Sequence, residues 1–217
     1  MPAVRMRSRP SDRGARGPRN DTDATGAALD WPRTLAAKGA VRLRAGHLLY
    51  RERIPSGGTV HCFLLDCSAS MMCSGRLALA KAMLHVWCEA LYGTREAIVV
   101  IGFGGSGAQL LKAPGTAPVG ATWIRTIEGG GGTPIVAALS ATEKTLHRLR
   151  RQSPTARIAC WLLTDGRFAV LPASPAGADW CAVVDFDSGG LAVGRSKEVA
   201  SRWSATYMSA CELVEQA

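Results

Sequence analysis

Periodic apolar positions are missing from residues 1–29, which are rich in Arg, Gly, Pro, Ser and Asp, and the pattern becomes regular only afterwards. That opening stretch is expected to be a disordered basic tail. Asp30 is placed to cap a short helix, with Pro32 just inside it, running to about Lys38. A lead-in arm then reaches residue 58, with His47 to Arg51 reading as a strand and Pro55-Ser56-Gly57-Gly58 as a turn. Beyond it, apolar runs without polar alternation occupy Val60 to Leu65, Ala97 to Phe103, Ile158 to Leu163 and Trp180 to Phe186. Such runs suit parallel strands covered on both faces. Leu77, Ala80, Leu84, Trp87, Cys88 and Leu91 recur at helical spacing between the first two runs, and Gly93 stands beyond them as a stop. Further helices are predicted from Pro118 to Ile127, Pro134 to Arg150 and Leu191 to Trp203, and a last strand from Ala205 to Ser209. Strands alternating with helices in this way predict an α/β domain over residues 59–217, built on a doubly wound, mostly parallel sheet.

One segment breaks the alternation. Gly102-Phe103-Gly104-Gly105-Ser106-Gly107 matches the dinucleotide-binding fingerprint, but the following Ala108 to Gly115 is short, apolar and interrupted by Pro114, so no helix is available to hold a pyrophosphate. It is expected to be a hairpin, with residues 108–111 as a short antiparallel edge strand. The other phosphate-binding pattern, G-x-x-x-x-G-K-[ST], does not occur in the chain.

Three element ends offer oxygen ligands. The first apolar strand stops at Asp66, with Ser68 and Ser70 at alternate positions after it; a carboxylate and two hydroxyls are hard donors that suit Mg²⁺ or Mn²⁺ better than Zn²⁺. The same residues would also serve an ordinary Asx or Ser turn. Gly129-Gly130-Gly131-Gly132-Thr133-Pro134 opens a helix, with Thr133 expected at the cap and Pro134 in the first turn. The strand from Ile158 ends in Thr164-Asp165-Gly166-Arg167. A fourth oxygen-rich end, Asp185, Asp187 and Ser188, reads as a solvated turn because Ser188-Gly189-Gly190 is ordinary turn chemistry.

Composition narrows the function classes. The chain has 217 residues, 47% of them hydrophobic, enough for one sizeable core. No apolar stretch approaches a bilayer span and the N-terminus has no signal-peptide core, so a cytoplasmic protein without a membrane association is expected. The net charge of +9 is uneven: residues 1–58 carry twelve Lys or Arg against five Asp or Glu, a net +7, and the rest of the chain is nearly balanced. Aromatic residues are not interleaved with the first arginines, which argues against a nucleic-acid surface. Seven cysteines, odd in number and without a C-x-x-C pair, are expected to be reduced core thiols. His61 and Cys62 adjoin on a strand and face opposite ways, so they cannot share an ion.

The set D-x-S-x-S at Asp66, Ser68 and Ser70, a lone Thr133 in a Gly-rich turn, and T-D-G at Thr164 to Gly166 resembles von Willebrand factor A domains with a metal-ion-dependent adhesion site, over about residues 58–217. The resemblance implies that Asp66, Ser68, Ser70, Thr133 and Asp165 hold Mg²⁺ or Mn²⁺. It also implies that the sixth ligand is an acidic side chain from a partner. Within the family, Leu64 to Ser70, Leu79 to Ala82, Arg95 to Phe103, Gly130 to Ile135 and Leu162 to Arg167 resemble the C-terminal domain of magnesium-chelatase D subunits. That implies a non-catalytic subunit of a magnesium or cobalt chelatase acting on a tetrapyrrole. Its partners would be a AAA+ ATPase subunit and a large chelatase subunit supplying the acidic ligand. Here a basic tail stands where such subunits carry an ATPase-like domain and an acidic linker, and Ala69 stands where many members have glycine. A generic adaptor of a MoxR-like ATPase is the alternative partner class. A divalent-metal phosphohydrolase is the alternative from a different class, and it would show turnover by the isolated chain.

Overall fold

The computed structural model describes residues 31–44, 47, 57–105, 107–116, 120–187 and 194–215. The expected tail and most of the lead-in strand lie outside the described residues. The chain divides into two compact units, Met1–Arg53 with Gln216–Ala217, and Ile54–Glu215. In the first, the expected short helix is present as α1, Trp31–Lys38.

The second unit is one six-stranded sheet of order β3-β2-β1-β4-β5-β6. Its strands are β1 (Thr59–Asp66), β2 (Ala97–Gly104), β3 (Gly107–Gly115), β4 (Arg157–Thr164), β5 (Trp180–Asp185) and β6 (Thr206–Ser209). All neighbours are parallel except β2 and β3. The long apolar runs became the central strands because both sheet faces are covered: every residue of β1 from Val60 to Asp66 is buried. Register aligns the carboxyl ends, pairing Asp66 with Phe103, Leu65 with Leu163 and Thr164 with Asp185. One rim of the sheet therefore collects the turns after β1, β2, β4 and β5.

On one face Val60, Cys62 and Leu64 pack with Ile135, Ala138, Leu146 and Leu149 of α5 (Ile135–Gln152) and with Val199 of α6 (Ser196–Arg202). The opposite face carries Phe63 and Trp161, stacked at 5.9 Å between ring centroids. Trp87 of α3 (Arg76–Gly93) covers Phe63 at 6.1 Å. Short helices α2 (Ala69–Met72), α4 (Ala121–Arg125) and α7 (Ala210–Glu215) complete the unit. Among the described residues no helix is long and apolar enough to cross a membrane. All seven cysteines are unpaired and five are buried, as expected of core thiols.

Two local expectations are corrected. The antiparallel edge strand extends over Gly107–Gly115 instead of residues 108–111, with register shifts opposite Val100; Pro114 is tolerated because an edge strand need not donate on both sides. Thr133 does not cap α5. Pro134 takes the cap position with ψ of 65° and makes no side-chain cap bond, which leaves Thr133 on the turn before the helix.

Candidate metal centre

The turn after β1 is built around a buried carboxylate. Asp66 is 0% exposed. Its Oδ1 accepts the Ser68 backbone N–H at 2.9 Å, and its Oδ2 accepts the Thr164 hydroxyl at 2.6 Å. The Thr164 oxygen in turn accepts the Gly166 N–H at 3.0 Å, so the T-D-G turn is tied to the first turn through one side chain. The Ser68 and Ser70 hydroxyl oxygens lie 3.1 Å apart, close enough for both to face one ion. Ala69, the first residue of α2, keeps an ordinary negative φ, so its methyl group imposes no strain where a glycine was expected.

The Gly-rich turn is docked onto this loop by its backbone. The Gly130 N–H donates to the Cys67 carbonyl at 2.7 Å, and the Ala69 N–H donates to the Gly131 carbonyl at 2.9 Å. Gly131 has a φ of 69°, and a Cβ there would collide with Cα of Gly105 in the β2–β3 turn; only glycine allows the two turns to touch. Thr133 follows two residues later, half-buried, and its hydroxyl makes no hydrogen bond among the described residues.

Asp165 is 0% exposed and lies near enough to Asp66 to repel it. Burial, the larger cause, and this repulsion push the Asp66 carboxyl above the usual carboxylate range, against the hydrogen bonds from Ser68 and Thr164. Among the described residues no lysine or arginine pairs with Asp66. Asp165 is paired: its Oδ2 accepts Arg76 Nη1 at 3.2 Å and lies 3.6 Å from Arg167 Nε. Asp66, Ser68, Ser70 and Asp165 thus lie on the turns at the rim, and the Gly-rich turn that leads into Thr133 is clamped to the first of these turns by its backbone.

The fourth oxygen-rich end is a correction. Asp185 and Asp187 are not a solvated turn: Asp185 is buried and accepts the Ser196 hydroxyl at 3.0 Å and the Tyr207 hydroxyl at 2.8 Å. The Asp187 side chain is 1% exposed and accepts Arg76 Nη2 at 2.9 Å.

The donor set decides which ion fits. Among the described residues no group of three or more His, Cys, Asp or Glu side chains is arranged to hold a metal, which excludes a zinc-type site there. What the turns after β1 and β4 offer is two buried carboxyl groups and adjacent hydroxyls, with Asp66 facing no cation among the described residues. A hard divalent cation suits that set.

Comparison with known proteins supports the fold on independent grounds. No family model matches the chain. The manganese-loaded TRAP protein of Plasmodium vivax superposes with a TM-score of 0.55 at 18% identity, over 74% of this chain and 72% of that one. The conserved hypothetical protein BatB of Bacteroides thetaiotaomicron gives 0.53 at 16% identity, over 73% of this chain and 98% of that one. In sequence, the magnesium-chelatase 60 kDa subunit of Rhodobacter capsulatus is 32% identical over 118 residues, covering 54% of this chain and 20% of that protein. The 67 kDa subunit of Chlorobaculum parvum is 32% identical over 111 residues, covering 51% of this chain and 18% of that protein.

The fold is von Willebrand factor A-like, and about half of the chain is similar in sequence to part of the magnesium-chelatase 60 and 67 kDa subunits.

The matched stretch spans only about a fifth of the chelatase relatives. Sequence reading of the A-like domain missed Thr164, Arg76 and Asp187. Thr164 was visible as the first residue of T-D-G but carried no assigned role. Arg76 had a weaker signal: a cation at the N-terminus of a helix opposes the helix dipole, so its position asks for nearby carboxylates.

Proposed function

We propose that the A-like domain holds one Mg²⁺ or Mn²⁺ at the sheet rim and works as a non-catalytic interaction subunit of a chelatase assembly driven by a AAA+ ATPase. The observation that carries this reading is Asp66, fully buried and without a cationic partner among the described residues, beside a pair of serine hydroxyls 3.1 Å apart. Ser68, Ser70 and Thr133 would supply hydroxyl oxygens, and Asp66 and Asp165 carboxylate oxygens, directly or through water. When bound, the cation supplies an electrophilic centre able to accept an acidic side chain from another subunit.

The chain's own residues prepare that event. Thr164 fixes the rotamer of Asp66 and the clamped Gly turn sets the height of Thr133. Burial of Asp66 and Asp165 excludes water, which strengthens any charge interaction made there. Among the described residues none at the rim pairs a nucleophile with a histidine base: Ser68 shares its hydroxyl with Ser70, and His61 sits at the other end of β1. Similarity to the chelatase subunits supports a chelatase-associated role, with the tetrapyrrole and the metal inserted into it as substrates of the whole assembly.

A pull-down with a AAA+ chelatase ATPase subunit tests this. Retention is expected in Mg²⁺ and lost both in EDTA and with Asp66→Ala. Equal retention in EDTA would contradict the metal-dependent contact.

A further inference from the structure

Arg76 is the first residue of an 18-residue helix that has no acid in its first turn, and its side chain is only 11% exposed. A cation there is doubly disfavoured, by the helix dipole and by burial. Two carboxylates from different strand ends hold it, Asp165 through Nη1 at 3.2 Å and Asp187 through Nη2 at 2.9 Å, themselves 0% and 1% exposed. Its Nε is buried and has no hydrogen-bond partner among the described residues. A guanidinium frequently closes its fork on one carboxylate with two parallel bonds. Arg76 instead spans two acids with one bond to each and leaves a donor unused.

The consequence falls on the cation site. Asp165 shares its Oδ2 between Arg76 and the more distant, 40% exposed Arg167, and solvent weakens the second contact. With Arg76 in place, the turn after β1 presents Asp66, which no cation among the described residues pairs, and neutral hydroxyls. Without it, Asp165 would keep only the longer, solvent-weakened contact to Arg167, whose Nη2 also lies 3.4 Å from Asp187 Oδ1.

We propose that Arg76 sets the affinity and selectivity of the rim cation site, by pairing with Asp165 so that this carboxylate reaches the ion through water instead of directly. Given the cation site argued above, this keeps binding weak enough to exchange and favours a small ion that retains water, such as Mg²⁺ or Mn²⁺. Ca²⁺, which takes six to eight oxygens, would need Asp165 as a direct ligand as well.

The test titrates the full chain with Mn²⁺, followed by the electron paramagnetic resonance of free Mn²⁺, and then competes with Ca²⁺ and Mg²⁺. Two variants move in opposite directions. Arg76→Met with Asp187→Asn removes one charge of each sign and releases Asp165; it should bind Mn²⁺ on the order of tenfold tighter and shift preference toward Ca²⁺. Asp187→Asn alone leaves the guanidinium with one counter-ion fewer; it should bind Mn²⁺ several-fold more weakly, about 1 kcal/mol. Folding of each is read separately by circular dichroism, and if the double variant does not fold, the single variant decides. A folded double variant no tighter than wild type, or an Asp187→Asn variant that is not weaker, would overturn the role of Arg76 while leaving the cation site standing. A wild-type chain that binds no divalent cation overturns both.

Discussion

Strand β1 buries a polar side chain at each end, and the protein treats the two differently. At the amino end, His61 is 5% exposed and both ring nitrogens are answered from within the fold. The Trp161 indole N–H donates to Nδ1 at 3.1 Å, which leaves the proton on Nε2 to be donated to Glu96 Oε2 at 2.6 Å. The ring also stacks on Phe63 and Trp161, with centroids 6.3 and 6.1 Å away. At the carboxyl end, Asp66 has its hydrogen bonds but no counter-ion among the described residues, and Asp165 adds repulsion. A buried charge is expensive to leave unmatched. The first end is answered within the fold, and the lack of a cation beside Asp66 among the described residues is what supports the proposed cation site.

The comparison can be broken by exchanging the two kinds of loss. Asp66→Ala should cost about 3–5 kcal/mol of divalent-cation binding, the scale of a broken buried ion pair, and leave the cation-free domain folded; calorimetric titration with Mn²⁺ reads the loss. His61→Ala should do the reverse. It leaves Trp161 Nε1 and Glu96 without their partner and opens a void among stacked rings, lowering stability by about 2–4 kcal/mol in urea unfolding. Its Mn²⁺ affinity should stay at the wild-type value. Gly131→Ala places a Cβ against Gly105 at a positive φ, a strain of about 1–3 kcal/mol. It should weaken Mn²⁺ binding by displacing Thr133 while the circular dichroism of the folded chain is preserved. The smallest effect is the coupling between the two ends. They lie about 17 Å apart along the strand, so the unfolding free energies of His61→Ala and Asp66→Ala should add to within about 0.5 kcal/mol in the double variant.

The parts legible in the sequence were those governed by burial pattern. Val60 to Leu65 had to be a central strand, because an unbroken apolar run of that length needs cover on both faces, and its end at Asp66 followed. The β2–β3 turn was readable as a hairpin because Pro114 removed the helix that a phosphate site requires. Long-range pairing was not legible. Nothing local to Arg76 names Asp165 and Asp187, 89 and 111 residues away, and Ser188-Gly189-Gly190 suggested solvent around two aspartates that the fold instead buries. The role of Thr164 escaped for a related reason: its hydroxyl reaches across to a neighbouring strand, and register between strands is set by the whole sheet.

The account stands on Asp66 having its counter-ion supplied from outside the chain. Thermal unfolding of the full chain with increasing Mn²⁺ tests this most directly, because a ligand that binds only the folded state raises the transition, by about 2.7 kcal/mol at one hundred times its dissociation constant. The wild-type transition should climb with Mn²⁺ and that of Asp66→Ala should stay where it is. A wild-type transition indifferent to Mn²⁺ and Mg²⁺, or an Asp66→Ala variant that climbs equally, would contradict the account.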